Sequence, residues 1–73
     1  MVKPRPGSGT LYVYSLESEY APVDRFEPGE LATVLSEDEL GWVTVLNPRG
    51  VVGRVHRVNV RYVVRKVYTV SDG

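Results

Sequence analysis

Apolar and polar positions alternate in short runs along this 73-residue chain, and nowhere does the three-and-four spacing of an amphipathic helix persist for a dozen residues. Strands are the predicted element throughout. The strongest local signal is Gly41 to Gly53, where Trp42 to Leu46 and Val51 to Val55 flank Asn47-Pro48-Arg49-Gly50. Pro48 presets φ for the second position of a tight turn and Gly50 supplies a positive φ, so this stretch reads as a β-hairpin. Thr10 to Leu16 is rich in β-formers and predicts a first strand, and Glu30 to Ser36, introduced by the Pro28-Gly29 turn, predicts a second.

The remaining segments are less regular. Lys3 to Gly9 combines prolines and glycines without periodicity and is expected to be an extended or mobile tail. Glu17 to Pro28 is a long polar loop whose Tyr20, Val23 and Phe26 predict an irregular hairpin folded back on itself. Beyond Gly53 apolar and basic residues alternate. Val58, Val60, Tyr62 and Val64 are placed on a buried side, with Arg57, Asn59, Arg61 and Arg65 on a wet, basic one. Helix is limited to one turn near Arg57 to Val60. Short strands between turn signals predict an all-β fold, a small antiparallel barrel or sandwich.

Composition narrows the reading. The length suits one domain with one small core and little room for an enclosed pocket. There is no cysteine, which removes disulfide scaffolds and thiolate metal sites. The first residues carry charge and helix breakers where a signal peptide needs an apolar run, and no stretch approaches the roughly 20 apolar residues of a membrane span. A cytoplasmic location without membrane contact is therefore expected. Net charge is zero, yet Glu17, Glu19, Asp24, Glu27, Glu30, Glu37, Asp38 and Glu39 crowd the stretch from Glu17 to Glu39 against Arg25 alone. From Gly41 to Val70 there is no acid. Such asymmetry points either to a polar partner or to charges that pair when the halves fold together.

Leu11-Tyr-Val-Tyr14, the long acidic loop, Phe26-Glu-Pro-Gly-Glu-Leu-Ala-Thr-Val-Leu35, Asp38-Glu-Leu-Gly-Trp42, a turn with Gly50, and Gly53-Arg-Val55 follow one another in an order that resembles a Src-homology-3 domain. The resemblance covers about Thr10 to Val63. It implies a small five-stranded antiparallel barrel over residues 10–64; the flexible tail (1–9) read from composition precedes it, and residues 65–73 are expected as an extension with a further C-terminal strand. It also implies a shallow groove with Tyr12, Tyr14 and Trp42 as aromatic walls. Carboxylates of the two flanking loops, Glu17, Glu19, Asp24, Asp38 and Glu39, would meet a basic residue of the ligand. Preformed polyproline helices suit such walls because little entropy is lost on docking. The far side of the groove departs from the family: an ungapped reading puts His56, Val58 and Asn59 where Pro, Asn and Tyr are usual. An insertion would instead let Tyr62-Val63 serve as the closing pair. In either case the groove proline is absent and Val13 replaces the family Asp.

These residues predict a non-catalytic module or small stand-alone adaptor that docks on a protein partner, either a proline-containing or basic segment or a folded surface. The protein itself would be a monomer or weak dimer. The candidate contacts are Tyr12, Tyr14, Glu17, Glu19, Asp24, Glu39, Trp42, His56 and Asn59. The alternative is nucleic-acid binding through Arg49, Arg54, Arg57, Arg61, Arg65 and Lys66, a reading that the neutral net charge and acidic loops weaken. The bland reading also stands: Trp42 and the tyrosines as packing residues, and Glu37 to Glu39 as a solvated loop. No cofactor or metal is expected, since one His without Cys makes no metal site alone. An enzyme is disfavoured because one His, no Cys and no nucleophile or phosphate-loop motif leave little from which to assemble catalysis.

Overall fold

A computed structural model describes residues 1–7 and 9–63, and among them the fold is all-β, without an α-helix. Seven strands form two antiparallel sheets: β1 (Val2–Pro4), β2 (Tyr12–Tyr14), β3 (Pro22–Arg25), β4 (Thr33–Glu37), β5 (Trp42–Leu46), β6 (Val52–His56) and β7 (Val60–Tyr62). The larger sheet has the order β3-β2-β6-β5-β4, and the smaller pairs β1 with β7. They meet at one isolated bridge between Val2 and Ala32. The hydrogen-bonded ladder is not closed into a barrel by strand pairing.

The central hairpin forms as the turn chemistry predicts. Gly50 has φ of 81°, and its N–H donates to the Asn47 carbonyl at 3.0 Å. Val43 opposes Val55 and Val45 opposes Gly53 on the inner face, while Trp42–His56, Thr44–Arg54 and Leu46–Val52 are the outward pairs. Period-two alternation thus puts Val43, Val45 and Val55 out of solvent with Val13 of β2. Phe26, Leu11 and Ala32 fill the rest, with Val2 and Val60 from the small sheet. β2 crosses β6 so closely that a Cβ on Gly53 would strike Val13 Cγ1 and lie 2.7 Å from the Tyr14 carbonyl oxygen. Only glycine fits there.

Several expectations change. The N-terminal segment is not a free tail: Val2 is fully buried, and Val2 and Ala32 exchange backbone hydrogen bonds of 2.8 and 2.9 Å. Val63 N–H reaches the Met1 carbonyl at 2.8 Å. A three-residue strand ending in proline has no periodicity to read, and Pro4 is tolerated because the pairing is short. The long loop does fold back, as β3 against β2 with a register shift between Val13 and Tyr14. Of its three apolar residues Phe26 is buried, whereas Tyr20 is 90% exposed and Val23 also faces solvent. The one helical turn is a 3-10 turn at Arg57–Asn59. By breaking the two-residue period it leaves Val58 and Tyr62 exposed and only Val60 buried, so residues 57–63 do not form one buried and one basic face. The C-terminal strand expected from Arg65 to Val70 lies outside the described residues.

Candidate functional site

The outward face of β5, β6 and β2 carries a connected group of side chains. Tyr14, Arg54 and Thr44 stand in one row across three strands, with Trp42 and His56 in the next. The His56 ring meets the indole edge-on, with centroids 5.1 Å apart and planes at 84°. The Arg54 guanidinium lies over the indole at 5.5 Å, a cation–π contact. Trp42 is half-buried, so one part of the ring packs and the rest faces solvent.

This group also holds two loops. Arg54 Nε donates to the Ser15 carbonyl at 3.2 Å, fixing the start of the acidic loop. His56 Nδ1 accepts from the Val58 N–H at 3.3 Å. That assignment leaves its Nε2–H to donate to the Leu40 carbonyl at 3.1 Å. Leu40 and Val58, both largely exposed, are thereby positioned on either side of His56. Gly41 makes the corner: its φ is 91°, its carbonyl accepts from Arg57 N–H at 2.8 Å, and an added Cβ would sit 3.1 Å from both His56 Cε1 and Arg57 Nε.

The acids divide into two sets. Asp38 is spent on the turn, since its Oδ1 accepts from the Leu40 and Trp42 N–H groups, each at 2.9 Å. Asp24 and Glu30 clasp Arg49 at 2.9 and 2.6 Å, and Asp24 also accepts from the Arg25 N–H and from the Nδ2 of Asn47, the buried polar side chain of the hairpin turn. Arg49 also donates to the Arg25 carbonyl at 2.7 Å. Its hydrogen bonds hold the carboxyls of Asp24 and Glu30 below their ordinary values, with backbone N–H donors adding to the effect. Glu27 pairs with Arg25 at 2.9 Å. Glu37 accepts from the Tyr62 hydroxyl, and that hydrogen bond raises the phenol above its usual value. Glu17, Glu19 and Glu39 have no hydrogen-bond or ion-pair partner through their carboxylates among the described residues.

Of the sequence-derived contacts, the structure brings together Trp42, His56 and Tyr14, with Glu17 and Glu19 in the loop that Arg54 holds and Glu39 in the one that His56 holds. Tyr12 lies farther along β2, opposite Arg25. Asn59 is on the 3-10 turn, where its carbonyl accepts from Arg5 N–H at 3.0 Å. Asp24 is diverted into the Arg49 clasp.

The basic set does not share one surface. Arg49 is in the clasp, Arg54 belongs to the aromatic face, Arg57 and Arg61 stand on the 3-10 turn and β7, and Arg65 and Lys66 lie outside the described residues. Arg54 and Leu40 are the site residues that sequence reading did not place there. The two-residue spacing of Arg54 and His56 on one strand was the available signal for the first. Among the described residues no group of three or more His, Cys, Asp or Glu is arranged to hold a metal ion. No helix among them is long and apolar enough to cross a membrane. No protein-family model, curated protein or solved structure matches the chain.

Proposed function

We propose that this chain is a Src-homology-3-like, non-catalytic interaction module whose partner docks across Trp42, Tyr14 and His56, between the loop 15–21 and the loop 38–41. The observation that supports this best is the shared sheet face, where Trp42 is half-exposed between two loops that Arg54 and His56 tie down. A rigid aromatic centre with fixed rims loses little entropy on binding. Glu17, Glu19 and Glu39, whose carboxylates no described cation engages, stand in those rims and suit a basic or proline-containing segment that carries a positive flank. Strand order and the 3-10 turn directly after β6 favour the ungapped reading of the resemblance, with Val60 as its closing buried valine. On this reading the seven strands are an open variant of the five-stranded barrel, with β1 and β7 as the pair that brings the chain ends together.

The test is a titration of isotope-labelled protein with proline-rich peptides bearing arginine, followed at the Trp42 indole and the amides of Tyr14, Glu17 and Leu40. Saturable shifts at these positions are expected. Trp42→Ala should weaken binding by more than about 1 kcal/mol while keeping the spectrum of a folded protein. Unshifted resonances, or a folded variant with undiminished affinity, would overturn the groove.

A further inference from the structure

Both ring nitrogens of His56 are engaged with backbone. Nδ1 accepts from the Val58 N–H at 3.3 Å, which makes His56 the N-cap of the 3-10 turn Arg57–Asn59, and Nε2 lies 3.1 Å from the Leu40 carbonyl oxygen. An amide N–H and a carbonyl oxygen demand opposite roles of the two nitrogens, so this arrangement takes the neutral ring with its proton on Nε2. An imidazole that gains a second proton is a donor at both nitrogens. The Leu40 contact survives that change. The Val58 contact does not, because two N–H groups then face each other.

The surroundings carry the effect beyond the turn. His56 is edge-on to Trp42, and the Arg54 guanidinium lies over the same indole at 5.5 Å. Arg57 Nε and His56 Cε1 approach one point beside Gly41, each to 3.1 Å. The other charged and titratable groups on the elements packed here are Tyr12 and Tyr14 on β2, Asp38 and Glu39 in the loop 38–41, and the Glu37–Tyr62 pair, which lies within electrostatic range of Arg57. Asp38 is committed to the Leu40 and Trp42 N–H groups. Among the described residues no carboxylate forms a salt bridge with His56. A positive charge arriving on the ring therefore joins two guanidinium groups, one of which needs the same indole face.

We infer that His56 is a proton-operated latch on the aromatic face. With the ring neutral, the 3-10 turn is capped and Arg54 keeps its seat on the indole and its hold on the Ser15 carbonyl. With the ring cationic, the cap opens, Arg54 is repelled, and a positive charge stands between the rims that carry Glu17, Glu19 and Glu39. A basic segment is then received less well. That consequence rests on the groove reading above; the latch itself rests on the two ring contacts alone.

The experiment follows the full isotope-labelled chain from about pH 8 to about pH 5, first alone and then with an arginine-bearing proline-rich peptide. At the alkaline end the ring nitrogen shifts should be those of the Nε2–H tautomer. On acidification the Val58 amide proton should move upfield with the same midpoint as the ring. Peptide affinity should fall about fivefold over that interval, as the loss of one hydrogen bond does. His56→Gln should remove this midpoint both from the Val58 amide and from the affinity, while any titration of Glu17, Glu19 and Glu39 persists in both proteins. The latch is overturned by the Nδ1–H tautomer at the alkaline end, by a Val58 amide that stays still while the ring titrates, or by folded His56→Gln with the wild-type pH profile. A moving Val58 amide with constant peptide affinity overturns the effect on binding. Absence of peptide binding at every pH overturns the groove reading instead, and the Val58 amide of the free chain still decides the latch.

Discussion

Arg49 Nε lies 2.9 Å from Asp24 Oδ2, a contact that fastens the turn of the central hairpin to the edge strand β3. The same guanidinium reaches Glu30, and both carboxylate side chains are mostly covered, 19% and 16% exposed. Stability should therefore fall off on the acid side. Both carboxyls have folded values below the unfolded ones, near 3.8 and 4.5. Their contribution is complete above those pH values and is lost as pH falls through the lower folded ones. Urea unfolding of wild type and Arg49→Gln across that window should show the variant less stable near neutrality, with the two curves converging as the acids protonate. Parallel curves would mean that the clasp contributes nothing.

Gly41→Ala tests the corner beneath the aromatic face. The φ of 91° is strained for any L side chain, by about 1–2 kcal/mol, and the new methyl meets the His56 ring and Arg57. Lower thermal stability is expected, together with altered ring-current shifts around Trp42. A wild-type melting temperature and spectrum would show that the corner is adaptable.

Val2→Ala separates a strand from a tail. Two methyl groups leave a fully buried site, at a cost of about 2 kcal/mol by urea denaturation. A mobile tail would show no change.

Period-two patterning made β5 and β6 readable almost to the residue, because both carry one face in the core and one in solvent. A single helical turn was likewise expected near Arg57 to Val60, and a 3-10 turn stands there. β1 was hidden because strand formation there depends on partners at Ala32 and Tyr62, not on any local preference of Val-Lys-Pro. The site was half readable: Trp42, Tyr14 and His56 are placed by strand register. The fates of Asp24 and Arg49 depend on a contact across 25 positions that no local pattern encodes.

The pairing of β1 with β7 has a consequence for the order of assembly. Val2 finds Tyr62 only after nearly the whole described chain exists, so during synthesis the first strand emerges long before its partner. Until then Val2 and the Ala32 edge it caps are open to other strands. Closing so long a loop is a late, entropically costly step. The meander of β4, β5 and β6, built from neighbouring segments, is the part able to form first, and the ends of the described chain then seal it.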